Sequence, residues 1–138
     1  MQDNDFVLVK KLVRDRKSIA AVEPTMQRLR QELKINDEKY YNMLITVTEA
    51  VNNAIIHGNK CNPEKNVELK IIANKKEVCI SISDEGEGFD PGDVPDPRNS
   101  ENLLLDHGRG IFLIRQLSNA LKIHSSNSGT VMTIVFNL

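Results

Sequence analysis

The 138-residue sequence predicts an α+β fold, a two-layer α/β sandwich of helices and antiparallel strands. Two observations support this class. Apolar residues recur at helical steps of three and four in some segments and alternate with polar residues in others, as in half-buried strands. The helices are also grouped rather than interleaved with the strands. The length suits one domain, so we expect a single domain over residues 1–138.

The first half of the chain is predicted to fold as a strand followed by two helices. Residues 6–9 are short and β-prone. Asn36 or Asp37 caps the second helix, which is expected to run to about His57 and to end at Gly58. The apolar stripe of the first helix is Ile19, Val22, Met26, Leu29 and Leu33. The stripe of the second helix is Tyr40, Leu44, Val47, Val51 and Ala54.

A hairpin and a long loop are predicted next. Apolar and polar residues alternate over 67–71 and 78–82, and the segment 74–76 between them is typical of a hairpin turn. The periodicity stops over residues 84–108, which hold four of the seven glycines. Because a loop of this length in a compact domain usually has a function, we expect binding groups here.

The chain is predicted to close with a helix and a second hairpin. A short, strongly apolar helix covers residues 111–117, and strands at 121–124 and 131–136 flank a turn at 127–129. The predicted order of elements is therefore strand, helix, helix, two strands, loop, helix and two strands.

Composition excludes several classes of protein. The 18 Lys and Arg residues nearly balance the 19 Asp and Glu residues, and a net charge of -1 argues against a general nucleic-acid binder. The two cysteines, Cys61 and Cys79, lack the spacing of a zinc site and are expected to be reduced. Neither a membrane span nor a signal-peptide pattern is evident, so we expect a cytoplasmic protein that does not bind a membrane.

Three polar residues share one face of the second predicted helix. Glu49, Asn53 and His57 stand four residues apart, and each such step turns only about 40° around the helix axis. A solvated surface face is one interpretation. The other is a carboxylate and an amide held at a fixed separation, which suits a general base and a metal ligand.

A second candidate site follows the strand at 78–82. Asp84, Gly86 and Gly88 are typical of a turn, which is the simpler interpretation. Glycines also let the backbone approach a flat ligand closely, and a carboxylate can accept hydrogen bonds from an amino group. Adenine presents such a group.

Two further glycine-containing segments are weaker signals on their own. Gly108, Arg109 and Gly110 precede the apolar helix, where free backbone N–H groups and the helix dipole suit a phosphate. Gly129 and Thr130 are typical of a hairpin turn.

The order and spacing of these motifs are more specific than any one of them. They resemble the N, G1, G2 and terminal boxes of the GHKL (Bergerat) ATPase superfamily: Glu49 and Asn53; Asp84, Gly86 and Gly88; Gly108 and Gly110; Gly129 and Thr130. Within that superfamily, the chain resembles the stand-alone anti-sigma factor serine kinases in the segments TEAVNNAIIHGN, FDPGDVPDP and HGRGIFLIRQL. The resemblance covers essentially the whole chain. It implies a fold of the GHKL type, with helices on one face of a mixed, mainly antiparallel sheet.

The resemblance implies a role for each residue of the first two boxes. Glu49 would be the catalytic residue that polarises the attacking nucleophile, and Asn53 would bind Mg²⁺ through its side-chain oxygen. Asp84 would receive the amino group of adenine, and Gly86 and Gly88 would shape the base pocket. ATP would lie between the helices and a flexible lid.

The other two boxes are implied to hold the rest of the nucleotide. Gly108 and Gly110 would close a lid at about residues 89–108 over the phosphates, and Thr130 would support the adenine site. Arg109 would reach a phosphate or face solvent, and both interpretations stay open.

The resemblance implies an ATP- and Mg²⁺-dependent serine/threonine protein kinase. Its substrate would be a STAS-domain protein that antagonises the anti-sigma factor, a sigma factor would be a second partner, and homodimers are common in the family. The alternative is a non-catalytic module in which ATP or ADP gates partner binding. A histidine kinase is disfavoured, because none of the histidines, His57, His107 and His124, precedes the ATPase elements.

The charge is distributed unevenly along the chain. Residues 84–106 carry eight acidic residues and one basic residue. An acidic lid is a poor phosphate clamp, so Mg²⁺, backbone N–H groups and the helix after Gly110 would have to hold the phosphates. We expect the lid to repel free nucleotide or to attract a basic partner surface.

Overall fold

A computed structural model describes residues 6–13, 20–62, 64–88 and 106–138. Within these ranges the elements follow the predicted order, with a π-helical turn (Ala54–Gly58) after the second helix. The helices are α1 (Val22–Leu33), α2 (Asp37–Asn53) and α3 (Asp106–Leu117). The strands are β1 (Phe6–Val13), β2 (Asn66–Ala73), β3 (Glu77–Ser83), β4 (Ala120–Ser126) and β5 (Gly129–Asn137). The single domain over residues 1–138 stays a prediction, because the chain outside these ranges is not described.

The strands form one sheet in the order β1-β2-β3-β5-β4. All four neighbouring pairs are antiparallel. The α+β class and the expected mainly antiparallel sheet are confirmed, and the described strands contain no parallel pair. Short turns produce this arrangement in both hairpins. In the first of them, Asn74 Oδ1 accepts hydrogen bonds from the N–H groups of Lys76 (2.8 Å) and Glu77 (3.0 Å).

The helices cover one face of the sheet, and α2 is the central helix. Alternate residues of β2, β3 and β5 are buried beneath the helices. The helix α2 contacts α1, α3 and β3. Its predicted apolar stripe is buried except for Leu44, which is half-buried. Side chains on the flanks of α2 are therefore held on a rigid support.

The two ends of α2 differ in how well the sequence predicted them. Asn36 caps the helix as expected, because its Oδ1 accepts a hydrogen bond from the Lys39 N–H group at 2.9 Å. At the other end, the chain is helical to Gly58 as expected, but the last five residues are not α-helical. The helix widens into the π-helical turn, where the Asn59 N–H group donates to the Ala54 carbonyl at 2.8 Å. Such turns are frequent at functional sites.

The start of α3 also differs from the prediction. The helix begins at Asp106, so Gly108 and Gly110 lie inside its first turns rather than in a loop before it. Within α3, the N–H groups without a helical partner therefore belong to residues 106–108. Of the predicted lid at 89–108, residues 89–105 lie outside the described residues. No helix in the described part of the chain is long and apolar enough to cross a membrane.

Candidate functional site

The polar face of α2 and the start of α3 line one open cavity of about 450 Å³. Glu49, Asn53 and His57 all line it, so these residues share a face as the spacing predicted. Arg109 and Gly110 of α3 contribute to the same cavity. Two segments more than 50 residues apart in the sequence therefore meet here.

Gly110 allows α3 to approach the carboxylate on α2. A Cβ atom at Gly110 would lie 3.2 Å from Glu49 Oε2 and 3.9 Å from Asn53 Nδ2. A side chain at this position would press on the Glu49 carboxylate. Glu49 itself is half-buried, which leaves it accessible to a ligand in the cavity.

The amide of Asn53 is buried without being satisfied. Its side chain is 6% exposed, and Nδ2 has no hydrogen-bond partner within the described residues. Leaving such a group unpaired costs about 1–3 kcal/mol. The amide therefore favours a ligand that supplies the missing interaction.

The donor set fits a magnesium ion bound together with phosphate. Rotating the Asn53 amide by half a turn presents its oxygen instead of its nitrogen, and the Glu49 carboxylate is nearby. Mg²⁺ prefers oxygen ligands and commonly keeps waters while binding one or two protein groups plus substrate phosphates. Among the described residues, no three His, Cys, Asp or Glu side chains could hold a metal by themselves. Phosphate and water oxygens would have to complete the coordination.

His57 and Arg109 form the more exposed part of the cavity. Partial burial lowers the pKa of His57 below its ordinary value, which favours the neutral imidazole. Arg109 is exposed and lines the cavity at the same time. Its position is compatible with contact to a phosphate and with contact to solvent.

Asp84 is fixed by the backbone on both of its sides. Its N–H group donates to the Thr130 carbonyl at 2.9 Å. Its Oδ1 accepts hydrogen bonds from the N–H groups of Thr130 (3.2 Å) and Gly86 (2.9 Å). Thr130 is 2% exposed, and its Oγ1 lies 2.8 Å from Ser125 Oγ. The strand β5 therefore supports the carboxylate through Thr130.

The other carboxylate oxygen of Asp84 is available for a ligand. Within the described residues, Oδ2 accepts no hydrogen bond. Burial raises the pKa of Asp84 above its ordinary value, and the hydrogen bonds from Gly86 and Thr130 partly offset this effect. Asp84 lies at a narrow cleft of about 10 Å³. The cleft is also lined by Ala50, Asn53, Ala54, Gly58, Ile82 and Met132.

This cleft combines a free carboxylate oxygen with apolar walls, which suits a flat ring that carries an amino group. A volume of this size holds roughly one water molecule. A purine ring would therefore have to widen the cleft in order to enter.

The loop after β3 approaches the π-helical turn so closely that it leaves no room for side chains. A Cβ atom at Gly86 would lie 2.0 Å from the Gly58 carbonyl oxygen, and one at Gly58 would lie 2.2 Å from Asp84 Oδ2. Gly88 occupies a different place. Its φ is 82°, and its Cβ position lies 2.2 Å from the Ser126 carbonyl oxygen. Gly86 thus packs the loop against the π-helical turn beside Asp84, whereas Gly88 packs the loop against the hairpin of β4 and β5.

Sequence reasoning missed the residues that join these two segments. Gly58 was expected only to end a helix, yet it packs against Asp84. Asn59 is 4% exposed and accepts a hydrogen bond from the Glu85 N–H group at 2.8 Å. The available signal was their position directly after the polar face of α2.

A known family matches this fold and this site. A model of the histidine kinase-like ATPase domain matches residues 13–136. That range includes every candidate residue described above. The fold and the site together therefore define a domain of the histidine kinase-like ATPase class.

Curated relatives narrow the class further. An anti-sigma F factor from Bacillus cytotoxicus is 33% identical over 112 residues, which cover 80% of this chain and 69% of that protein. An anti-sigma F factor from Clostridium perfringens is 29% identical over 115 residues, which cover 81% of this chain and 74% of that protein. The chain belongs to the anti-sigma factor serine kinase family with a GHKL ATPase domain, as its motifs indicated.

Solved structures share the fold at low sequence identity. The RsbU and RsbW domains of a Mycobacterium tuberculosis protein align with a TM-score of 0.69 and 15% identity. That alignment covers 95% of this chain and 32% of the other chain. The mycobacterial sensor histidine kinase MprB aligns with a TM-score of 0.57 and 16% identity, over 94% of this chain and 97% of that chain. These likenesses support the ATPase fold alone.

Proposed function

We propose that this chain is a serine/threonine protein kinase that uses Mg-ATP to phosphorylate a STAS-domain antagonist in a partner-switching system. The observation that carries the proposal is the meeting of α2 and α3 at one open cavity. Glu49 and the buried amide of Asn53 lie there beside Gly110. A base, a candidate metal ligand and a helix N-terminus in one cavity are the groups that phosphoryl transfer needs.

The nucleotide would bind across both parts of the site. The adenine ring would enter the narrow cleft, where Asp84 Oδ2 would accept a hydrogen bond from its amino group. Because Oδ1 is held by Thr130 and Gly86, the carboxylate keeps its orientation. Asn53 lines both the cleft and the open cavity, so the phosphates would extend past it towards Arg109.

Phosphotransfer would then proceed by in-line displacement. The acceptor hydroxyl oxygen of the protein substrate forms a bond to the γ-phosphorus, and the bond from that phosphorus to the bridging oxygen of ADP breaks. Glu49 accepts the hydroxyl proton, and ADP leaves with the electron pair of the broken bond. When bound through Asn53 and the phosphates, Mg²⁺ would neutralise charge on the transferring group.

The partners are proposed from the relatives. Both curated relatives described above are named anti-sigma F factors, which supports a sigma factor as a binding partner of this chain. Partner switching requires a second protein that competes for the anti-sigma factor. A STAS-domain antagonist whose binding is controlled by phosphorylation fits that role.

The test combines a transfer assay with a binding assay. The chain is incubated with γ-labelled ATP, Mg²⁺ and purified STAS-domain proteins, and pull-downs are made in ATP and in ADP. We expect acid-stable phosphoserine or phosphothreonine on one STAS protein, and partner binding that differs between the two nucleotides.

Other outcomes select the alternatives. Nucleotide-dependent binding with no phosphate transfer would favour the non-catalytic module. Acid-labile phosphate on the chain itself would indicate a histidine kinase. A chain that binds no ATP would reject both the kinase and the module.

A further inference from the structure

Asn59 uses all of its polar groups at the end of the π-helical turn. Its N–H group donates to the Ala54 carbonyl at 2.8 Å, and its carbonyl accepts a hydrogen bond from the Asn62 N–H group at 3.0 Å. Its side chain makes two more bonds: Oδ1 accepts from the Glu85 N–H group at 2.8 Å, and Nδ2 donates to the Asn66 carbonyl at 3.0 Å. At 4% exposure, this is a buried amide whose nitrogen and oxygen are both hydrogen-bonded.

The two side-chain bonds tie together three separate segments. Asn59 follows the π-helical turn, Asn66 begins β2, and Glu85 belongs to the loop after β3. A third hydrogen bond links the other two residues directly, since the Asn66 N–H group donates to Glu85 Oε1 at 2.5 Å. Asn59, Asn66 and Glu85 thus form a triangle of hydrogen-bonded residues. The three residues therefore hold one another at fixed positions.

The triangle lies next to the residue that faces the base cleft. Glu85 directly follows Asp84, so the Asn59 bond fixes the peptide unit that joins them. Strand β5 holds the other side of Asp84 through Thr130. Gly58, directly before Asn59, would place a Cβ atom 2.2 Å from Asp84 Oδ2. The position of Oδ2 in the cleft thus depends on how Asn59 joins the turn to the loop.

We propose that Asn59 is a positioning residue for base recognition, acting through the Glu85 backbone to direct Asp84 Oδ2 at the amino group of adenine. The inference rests on the proposed function, because it assumes that ATP binds in this cleft. Asn59 does not touch the nucleotide in this scheme. Its effect is on the choice of base rather than on the binding of phosphate.

The choice of base can be measured with two nucleotides that differ by one group. Purine riboside triphosphate has the ring and phosphates of ATP but lacks the amino group. The dissociation constant of purine riboside triphosphate divided by that of ATP measures the hydrogen bond to Asp84. In the wild-type chain, we expect this ratio to be about ten or more. The measurement uses isothermal titration calorimetry at pH 8 in the presence of Mg²⁺.

Removing the Asn59 acceptor should lower this ratio specifically. We expect Asn59→Ala to weaken ATP binding about tenfold and to leave purine riboside triphosphate within about twofold of wild type. The isosteric Asn59→Asp keeps an acceptor for the Glu85 N–H group but loses the donor to the Asn66 carbonyl. It should retain the preference for ATP at a lower stability. Asn62→Ala is the matched control, since Asn62 Oδ1 accepts a bond from the Glu64 N–H group in the same loop. It should retain the wild-type ratio.

Several results would overturn the proposal. A folded Asn59→Ala chain with the wild-type ratio would show that Asn59 does not direct the base, as would equal loss of affinity for both nucleotides. Asn59→Leu, which fills a similar volume without polar groups, serves if the alanine variant does not fold. If neither variant folds, Asn59 has only a structural role and the proposal fails. A wild-type chain that binds no ATP would reject the proposed function instead, whereas ATP binding without base preference would reject this inference alone.

Discussion

The two parts of the candidate site differ in how many of their polar groups already have hydrogen-bond partners within the protein. On the side where we propose that the base binds, called the base side, hydrogen bonds hold Asp84 and Asn59 around a cleft of about 10 Å³. On the side proposed for the phosphates, called the phosphate side, Glu49 and Asn53 border an open cavity of about 450 Å³. There the Asn53 amide nitrogen has no hydrogen-bond partner within the described residues. The base side is therefore organised before binding, whereas the phosphate side needs ligand groups to complete it.

The difference follows from the elements that build each part. The base side is made of backbone from a strand end, a hairpin and a π-helical turn, whose N–H and carbonyl groups must find partners when buried. The phosphate side lies between two helices whose backbone groups are mostly satisfied within each helix. Only side chains and the first N–H groups of α3 are left to contact a ligand there. Base recognition and transfer should consequently respond to different substitutions.

The substitution with the largest expected effect separates phosphotransfer from ATP binding. Glu49→Gln keeps the shape of the side chain but removes the proton acceptor, so we expect phosphotransfer to fall by about 10²–10⁴-fold. ATP affinity should change little, because the base side is untouched. Single-turnover transfer and calorimetric binding measure the two quantities on the same protein.

Asp84→Asn is the matched control for this separation. It removes the negative charge from the base side and should weaken ATP binding while leaving Glu49 in place. If Glu49→Gln retained full transfer, Glu49 would not be the base and the phosphate side would need another one.

The next effect concerns the close contact on the base side. Gly86→Ala would place a methyl group 2.0 Å from the Gly58 carbonyl oxygen, which is a backbone atom with little freedom to move. We expect the free energy of unfolding to fall by about 1–3 kcal/mol or more, with a parallel loss of ATP binding. Urea unfolding followed by circular dichroism measures the first quantity. A variant with wild-type stability would show that the loop and the turn are farther apart than described.

Gly110→Ala should have a smaller and different effect on the phosphate side. The added Cβ atom would lie 3.2 Å from Glu49 Oε2, the end of a flexible side chain that can shift. Replacing glycine inside a helix gains up to about 1 kcal/mol of helix stability. We therefore expect equal or higher stability together with about tenfold slower transfer, because the base is displaced by a few tenths of an ångström. Lower stability with unchanged transfer would contradict this view of the contact between α2 and α3.

The same two regions show how far the sequence predicts the molecule. The phosphate side could be predicted from the sequence because helical periodicity places Glu49 and Asn53 on one face of a helix. The cap at Asn36 sets where that helix begins. The hairpins could also be predicted, because the alternation of apolar and polar residues and the turn residues are local signals in the sequence. These features depend on residues close together in the sequence.

The base side was harder to predict from the sequence, because its contacts join residues that are far apart in the chain. The bond from Glu85 to Asn59 spans 26 residues, and the bond from Thr130 to Asp84 spans 46. The π-helical turn has the same residue types as an α-helix, so periodicity extended the helix to His57. Likewise, Gly108 and Gly110 are poor helix formers by propensity, yet both lie inside α3, a helix that packs against α2.

The smallest expected effect is a pH dependence that only the base side should show. Burial raises the pKa of Asp84 above its ordinary value, so the folded chain holds this proton more tightly than the unfolded chain does. Between the ordinary and the raised pKa, the contribution of Asp84 to the free energy of unfolding therefore increases as the pH falls. ATP binding should change in the opposite direction, because the ionised carboxylate is the better acceptor for the adenine amino group.

At the pH where half of the Asp84 carboxyls are protonated, the affinity for ATP should be about twofold lower than at pH 8. Asp84→Asn should bind ATP more weakly than the wild-type chain at pH 8 and should lack this part of the pH dependence. Calorimetry on both proteins over the same pH series isolates the contribution of Asp84, since all other carboxylates are shared. If the two proteins showed the same pH dependence, the titrating group would lie elsewhere, and the phosphate side would be the first place to look for it.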